Sequence, residues 1–380
     1  MRFPDDVPEL TSGDLTLRAH RLEDADAVVE QCVDAVSLQW TTVPAGYTRA
    51  MAVDWVTTSV PQSWESGSER VFALETTHPD GRRRFSGSLS LRDEGSRRAE
   101  LAFGAHPAVR GRGVMTRAVN LLLDYGFSDW RLETVIWRAN VGNFASRRVA
   151  WKTGFTFGGM IPRWLPQRGE YLDGWEATLH RTDARVPTTS WLDVPVLEGR
   201  SVRLRPLTDA DIPRIVEASA DPRSQHWLPF LPHPYTEADA RGFLLRSGTR
   251  AAEGAGADWA VAASSSDTLL GTLGLPRGGR NGWEIGYLAH PDARGRGAIR
   301  EAVGLVTAHV FRDAASGGLG ARRAYLRASE GNAASRHVAM ANGFREYGRE
   351  RSSETLRDGS VCDMVLYDLL ASDPMQAPSR

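Results

Sequence analysis

The sequence is very poor in cysteine and lysine. Its 380 residues contain two cysteines, Cys32 and Cys362, and a single lysine, Lys152, so arginine supplies nearly all of the positive charge. Two cysteines cannot build a disulfide framework, and cysteine scarcity is typical of proteins that reside in a reducing compartment. We therefore expect a cytoplasmic protein.

Neither sign of charge dominates, and no long apolar run is present. The chain has 46 basic and 47 acidic residues, a net charge of −1, and its start, MRFPDDVPEL, lacks the apolar core of a signal peptide. A balanced charge argues against a nucleic-acid-binding coat, and the absence of a stretch of roughly 18 apolar residues argues against a membrane span. We expect neither a nucleic-acid partner nor a membrane.

The two halves of the chain repeat each other. The His-Pro pairs at His106 and His290 are 184 residues apart, and the matching asparagines, Asn143 and Asn332, are 189 apart. This period is far longer than the roughly 20–50 residues of a solenoid repeat, so it indicates a duplicated domain. We predict an N-terminal domain at 1–186, a linker at 187–198, a C-terminal domain at 199–371 and a tail at 372–380.

Each half combines helical and strand patterns. Opening strands at 15–18 and 202–205 precede helices that we expect Asp24 and Asp209 to cap. Three short strands, a helix after a glycine-rich run, a further strand, a short helix and a final hairpin follow in both halves. The fold class predicted is α+β, with two tandem domains that each have a mainly antiparallel central sheet flanked by helices.

An RGRG run follows the His-Pro pair in each half and separates a predicted strand from a predicted helix. The two runs are Arg110, Gly111, Arg112 and Gly113, and Arg294, Gly295, Arg296 and Gly297. Glycines and free N–H groups at a helix N-terminus favour a phosphate or pyrophosphate. The alternative is a solvated basic turn that caps the helix. Recurrence after His-Pro in both halves favours the anion site, although the spacing matches neither a P-loop nor a dinucleotide fingerprint.

The combined pattern of His-Pro, Arg-x-x-Gly and NxxSxxVxxxxGF resembles the GNAT N-acetyltransferase family. The EIGY-like strand at 284–287 and the NxxS helix look most like the branch that acetylates N-terminal amines of ribosomal proteins. The resemblance implies acetyl-CoA, or another acyl-CoA, with its pyrophosphate on the loop and its pantetheine arm beside the preceding strand, which would splay at a bulge around Ala105 and Ala289. The implied cofactor-binding residues are Ala105, His106, Arg110, Gly111, Arg112, Gly113, Val114, Met115 and Asn143, and Ala289, His290, Arg294, Gly295, Arg296, Gly297, Ala298, Ile299 and Asn332.

The resemblance has one departure, at the end of the loop. Met115 and Ile299 stand where the family usually has a small residue. His106 and His290 head the loop, where a capping or packing role is more common than base catalysis. No spacing of Cys, His and Asp indicates a metal site.

Transfer of an acyl group to an ammonium needs a base, and the leaving thiolate benefits from a proton donor. Ser146 and Ser335 each lie one helical turn after the asparagine, on its face, and are the candidate donors. Packing or capping is the alternative for these serines and asparagines.

Two positions are candidates for the base. The resemblance implies Glu354, whose counterpart in the first half is Leu165, so we expect catalysis in the second unit. The second choice is Glu100 and Glu284 on the strand before the loop, with a solvated or salt-bridged glutamate as the alternative. Strand alternation would turn these two to the face opposite the family's base.

The acceptor side is indicated only by two tryptophan- and proline-rich stretches, at 40–44 and 227–232. We predict an acyl-CoA-dependent N-acyltransferase in which a primary amine, such as a peptide or protein N-terminus, attacks directly. The alternatives are a transferase for small or antibiotic amines, one that uses longer acyl chains, and a degenerate pair that senses acyl-CoA or scaffolds a partner. The duplication resembles an internal dimer, so the chain could be monomeric.

Overall fold

The computed structural model describes residues 7–278 and 282–373. These fall into two compact units, Met1–Thr188 and Thr189–Arg380. Each unit has one mostly antiparallel sheet with helices packed on it, which confirms the predicted α+β class. The segment predicted as a linker, 187–198, contributes a short strand to the second unit, and most of the predicted tail, from residue 374 on, lies outside the described residues.

The first unit contains an eight-stranded sheet in the order β1-β2-β3-β4-β5-β6-β8-β7, in which β5 and β6 are the parallel pair. A π-helical stretch joins α3 to α4. The strands are β1 (Leu10–Ser12), β2 (Leu15–Arg18), β3 (Glu69–Thr77), β4 (Arg83–Asp93), β5 (Arg98–Ala105), β6 (Thr134–Asn140), β7 (Thr156–Gln167) and β8 (Glu170–His180), and the helices are α1 (Ala25–Val33), α2 (Ala35–Trp40), α3 (Arg49–Asp54), α4 (Val60–Ser66), α5 (Val114–Ser128) and α6 (Phe144–Lys152).

The second unit repeats this arrangement in a nine-stranded sheet, with β13 and β15 as the parallel pair. The order is β16-β17-β15-β13-β12-β11-β10-β9, and β14 also pairs with β12. The strands are β9 (Leu197–Glu198), β10 (Val202–Arg205), β11 (Gly256–Ala263), β12 (Leu269–Gly278), β13 (Gly282–Glu284), β14 (Gly286–Ala289), β15 (Arg323–Ser329), β16 (Arg345–Thr355) and β17 (Val361–Leu370), and the helices are α7 (Ile212–Ala220), α8 (Pro222–Trp227), α9 (Glu237–Ala252), α10 (Ala298–Phe311) and α11 (Ala333–Ala341).

The helices that follow the glycine-rich runs are anchored in the two main cores. One face of α5, including Ala118 and Leu122, and one face of α10, including Ala302 and Val306, is fully buried against the sheet. This burial fixes the axis of each helix and therefore the position of its N-terminus. No helix in the described part of the chain is both long and apolar enough to cross a bilayer.

The prediction that Asp209 caps a helix was wrong. Asp209 begins a short 3-10 turn, and α7 starts after Asp211, whose carboxylate accepts the N–H of Thr208 and binds Arg205 at 2.8 Å. Asp24 does precede α1, but its carboxylate binds Arg18 rather than a helical N–H. In both units the neighbouring arginine, which lies beyond the reach of a local sequence pattern, determines which aspartate closes the turn.

One buried histidine of the first unit has no counterpart at the matching position of the second unit. His20 is fully buried beside Trp55, and its Nε2 lies 3.0 Å from the Ser88 hydroxyl. Burial lowers the pKa of His20 to about 4. Leu207 occupies the matching position in the second unit.

We predict that this histidine makes the first unit acid-sensitive. The native state resists protonation, so the contribution of His20 is complete above its unfolded pKa of 6.5 and is lost as the pH falls from 6.5 toward 4. The free energy of unfolding should fall there by up to about 1.4 kcal/mol per pH unit because of this group. In His20→Leu, which copies the second unit, urea unfolding followed from pH 7 to pH 4 should show a shallower decline. An unchanged slope would contradict the assignment.

Candidate active site

The RGRG runs adopt the same backbone conformation in both units. Gly111 and Gly113 have φ angles of 74° and 72°, and Gly295 and Gly297 have 75° and 79°. These are left-handed values that side chains with a Cβ rarely adopt. A Cβ added at any of the four would meet no atom within 4 Å. The loop therefore presents open backbone to its surroundings.

The first N–H groups of the following helices are free to bind an anion. Gly113 and Gly297 hold the N-cap positions and offer no side chain to cap the helix. The first helical hydrogen bonds are donated by Arg117 and Glu301, so the three preceding N–H groups in each helix have no acceptor within the described residues. Such groups at the positive end of a helix dipole fit a diphosphate.

The side chains after the loop point into the core. Met115 and Ile299, which stand where the resembling family has a small residue, are each 8% exposed and pack in the main core clusters. Val114 and Ala298 are buried beside them. The larger residues are accommodated because they do not occupy the open side of the loop.

Two parallel strands part from each other just before the loop. Pairing between β5 and β6 extends from Arg98 to Leu101 and then stops, while β5 remains paired with β4 up to Ala105. In the second unit, Ile285 interrupts the strand, so β13 pairs with β15 whereas β14 pairs with β12. The parting begins earlier in each strand than the predicted positions around Ala105 and Ala289. It leaves backbone groups available to an extended ligand.

The NxxS motif forms the N-terminal turn of α6 and α11. Asn143 and Asn332 cap these helices, because their side chains accept the N–H groups of Ser146 and Ser335 at 3.1 and 3.2 Å. The capping role weighed from the sequence is therefore present at both asparagines, and it uses the side-chain oxygen of each.

The two serine hydroxyls have different partners. Ser335 Oγ lies 2.8 Å from the hydroxyl of Tyr287, and burial raises the pKa of Tyr287 to about 12. Ser146 Oγ instead accepts a 3.0 Å hydrogen bond from Trp137 Nε1, and Phe103 takes the place of Tyr287. An aromatic side chain thus orients each serine, and in the second unit it supplies another hydroxyl. The sequence reasoning missed Tyr287, although comparison of EIGY with ELAF could have revealed it.

The candidate bases lie in different environments. Glu354 is half-exposed on β16 opposite Cys362, without a hydrogen bond or ion pair to any described residue. Glu284 accepts from Arg327 at 3.1 Å, and Glu100 accepts from Arg138 at 3.2 Å. Glu100 and Glu284 are therefore salt-bridged, the alternative recognised from the sequence. No hydrogen bond or ion pair joins Glu354 to either NxxS turn in the described residues.

The first arginine of each run is turned toward a helix. Arg110 binds Asp34 at 2.6 Å, the Ser37 hydroxyl at 2.9 Å and the Ala105 carbonyl at 3.2 Å. Burial alone would raise the pKa of Asp34, but the hydrogen bonds from Arg110 and from the Ser37 N–H lower it. Arg112, by contrast, is exposed.

The second unit repeats this pairing. Arg294 binds Asp221 at 2.5 Å and the Ser224 hydroxyl at 2.9 Å, while Arg296 is exposed. The pKa of Asp221 is lowered overall by the hydrogen bonds from Arg294 and the Ser224 N–H, against the opposing effect of burial. Sequence reasoning missed both aspartates.

The histidines that head the loops hold local structure. His106 Nδ1 accepts the N–H of Ala108 at 3.3 Å, and its Nε2 lies 3.1 Å from Glu30. His290 has the same arrangement with Glu217 at 2.9 Å. Both rings are buried and act as caps of the loop.

Comparison with known proteins matches each unit separately. Residues 14–156 and 201–345 both match the family model described as the acetyltransferase (GNAT) domain. Comparison with curated protein sequences gives no match. The matched ranges include both loops and both NxxS turns but end before Glu354.

Solved structures similar to the chain correspond to about half of it. The ribosomal-protein-S5-alanine acetyltransferase from Vibrio fischeri shares 19% identity over 47% of this chain and 98% of its own, with a TM-score of 0.41. A GNAT-family acetyltransferase from Bacillus anthracis shares 18% over 46% and 98%, with a TM-score of 0.40. The microcin C7 self-immunity acetyltransferase MccE, in complex with acetyl-CoA and AMP, shares 16% over 44% and 93%, with a TM-score of 0.40.

The left-handed glycines permit a prediction about stability. Because an L-residue in this conformation costs roughly 1–2 kcal/mol, Gly297→Ala should lower the free energy of unfolding of its unit by about that amount. Gly286→Ala is the matched control, since Gly286 also has open space around it but no positive φ. Urea unfolding of the two variants measures the difference. Equal effects would show that the loop conformation is not constrained.

Proposed function

The chain belongs to the GNAT acetyltransferase family, and on this premise we propose that it transfers an acetyl group from acetyl-CoA to a primary amine, such as the N-terminus of a peptide or protein. The observation that carries the proposal is the twin loop, in which left-handed glycines and unpaired helix N–H groups lie beside parted strands. We further propose that each GNAT-like domain follows the boundaries drawn from the sequence, 1–186 and 199–371.

The loop residues fit a CoA diphosphate. The N–H groups at the start of α5 and α10 would hold its oxygens, and no Cβ at the glycines obstructs a close approach. Arg112 and Arg296 are exposed and add positive charge at the same turns. The backbone of β5 and β14 beyond the parting of the strands would bind the pantetheine arm.

The side chains of the protein then have to orient the thioester and the amine, donate a proton to the leaving thiolate and remove one from the ammonium. Bound acetyl-CoA supplies a thioester, which is already activated toward an amine, so orientation provides much of the acceleration. Ser335 would donate a proton to the leaving thiolate, with Tyr287 holding its hydroxyl in place. Glu354 would accept a proton from the acceptor ammonium, directly or through water, so that the neutral amine can attack, with Glu284 as the second choice.

The second unit is the better candidate for catalysis. It combines Ser335, Tyr287 and Glu354, whereas the first unit has Phe103 and Leu165 at the positions of the last two. Leu165 lies opposite Leu172 in the final hairpin and presents no titratable group. The first unit would then bind cofactor as a weaker catalyst or serve a structural role.

The acceptor would enter beside the loop that follows α8. This loop includes Phe230, which is 77% exposed, and Arg357 donates hydrogen bonds to the carbonyl oxygens of Gln225 and Pro229 at 3.1 Å. An exposed aromatic ring on a tethered, proline-rich loop suits the first residues of an unfolded peptide. Release of CoA thiol with acetyl-CoA and peptides that have free or blocked N-termini tests this function. Turnover that ignores blocking of the amine would contradict it.

We predict that the exposed arginines contribute to cofactor affinity in their own unit. Arg296→Glu should weaken CoA binding to the second unit about tenfold, because it replaces attraction to the diphosphate by repulsion, and Arg112→Glu should do the same in the first unit. Calorimetry with CoA measures both affinity and the number of sites. Arg241→Glu, an exposed arginine of α9, is the control. Unaltered binding in both loop variants would rule out the loop as the diphosphate site.

We predict distinct kinetic effects for the acid and the base. Ser335→Ala should lower kcat by about a hundredfold, and Glu354→Gln should flatten the rise of rate toward alkaline pH. Glu237→Gln, an exposed glutamate that pairs with Arg241 on α9, is the control. If Ser146→Ala lowers kcat as much as Ser335→Ala, catalysis is not confined to the second unit. An unchanged pH profile in Glu354→Gln would transfer the role to Glu284 or to water.

A further inference from the structure

A short helix near the start of each unit carries the same three side chains at the same spacing. The motif is D-x-x-S-x-x-W, and its residues are Asp34, Ser37 and Trp40 in α2, and Asp221, Ser224 and Trp227 in α8. The two halves differ at many other positions of the site. Retention of this motif in both therefore indicates a shared task.

The aspartate ties the N-terminus of the helix to the glycine-rich loop. One oxygen of Asp34, Oδ2, accepts the N–H of Ser37 at 3.0 Å and also binds Arg110 at 2.6 Å. Asp221 Oδ2 does the same with Ser224 at 3.0 Å and Arg294 at 2.5 Å. A single carboxylate oxygen thus caps the helix and holds the loop.

The tryptophan ties the other end of the helix to the turn that carries the candidate acid. A Cβ added at Gly142 would lie 3.2 Å from the Trp40 ring, and one at Gly331 would lie 3.2 Å from the Trp227 ring. These glycines immediately precede Asn143 and Asn332. The ring therefore packs against the residue that precedes the NxxS turn, and a side chain larger than that of glycine there would displace the ring.

The final hairpin supplies a third tether. Gln167 Nε2 donates to the carbonyl oxygens of Gln39 and Thr41, both at 3.0 Å, and Arg168 donates to Thr41 at 3.2 Å. In the second unit Arg357 holds the carbonyl oxygen of Gln225 at 3.1 Å. The helix thereby connects the loop, the NxxS turn and the hairpin that carries Glu354.

We propose that α2 and α8 are straps that couple the cofactor loop to the acceptor side of the site, with Asp34 and Asp221 as the positioning residues. This rests on the proposed function, because it takes the loop to be the cofactor's binding site. A ligand that orders the loop also orders the arginine that the loop carries. Through its ion pair, this arginine orders the strap. The Trp of the strap and the loop that follows it form the wall of the acceptor side. Such coupling requires that ligand binding reduce motion in the strap.

Hydrogen exchange of the full chain tests the coupling, with CoA as the probe. In the wild type, CoA should slow exchange both in the loop segments, 107–117 and 291–301, and in the straps, 35–41 and 222–228. The double variant Asp34→Asn, Asp221→Asn removes the charge but keeps a side chain that caps a helix. Its loops should still be protected by CoA, while protection of the straps falls about fivefold, as expected when a half-exposed ion pair is lost. Asp239→Asn, in the capping box of α9 and away from both loops in the chain, should behave as the wild type.

Each outcome decides between the two proposals. Equal strap protection in the double variant and the wild type overturns the coupling and leaves the cofactor site intact. If CoA protects no segment of the wild type, the proposed function fails, and the coupling between strap and loop is judged in the free protein, where the double variant must exchange faster in both strap and loop. Faster exchange confined to the strap overturns the coupling. Arg110→Gln with Arg294→Gln should reproduce the loss, and adding it to the double variant should cause no further loss.

Discussion

A left-handed backbone at one glycine, immediately before a long buried helix, is the constraint on which the rest of each unit depends. Gly113 and Gly297 adopt φ angles near +75°, so the helix starts without a side-chain cap and its first N–H groups remain unpaired. Because α5 and α10 are anchored by fully buried faces, these groups cannot turn away. Geometry that suits an anion results from a turn and a core together, and neither alone would be sufficient.

The parting of the parallel strands extends this site along the sheet. Unpaired backbone N–H and C=O groups inside a sheet cost free energy. The groups of β5 and β14 instead border the opening between the parted strands, where a ligand could pair with them. The loop, the opening and the NxxS turn follow one another in space because the strand leads into the loop and the next strand leads into the turn. The straps contact both the loop and the NxxS turn. We treat them as part of the site because both units repeat them.

The two units share a scaffold but differ in the side chains that we propose for catalysis. Tyr287 and Glu354 in the second unit correspond to Phe103 and Leu165 in the first, while Trp137 gives Ser146 a donor that Leu326 cannot give Ser335. The pKa of Tyr287, raised to about 12 by burial, keeps its hydroxyl protonated and able to orient the serine. The Tyr287–Phe103 and Glu354–Leu165 exchanges preserve side-chain volume better than polarity, so the same scaffold can hold either set.

Most of the fold could be predicted from the sequence, since periodicity and turn residues are local. The strands at 15–18 and 202–205, the helices after the RGRG runs and the final hairpins lie where the patterns placed them. The helix cap was wrongly predicted at Asp209, because Arg205 selects Asp211 through a contact across the turn. Short helices such as α2 and α8 were missed for the same reason, since tertiary contacts rather than propensity stabilise six residues.

The duplication, the α+β class and the position of the loop glycines follow from the sequence alone, because repeats and glycine turns are visible as residue patterns. The partners of the polar side chains depend on packing in three dimensions. This packing turned Arg110 and Arg294 toward Asp34 and Asp221, paired Glu100 and Glu284 with arginines, and placed Tyr287 on Ser335. Packing selects hydrogen-bond partners that are far apart in the chain, so residue spacing along the sequence does not predict them.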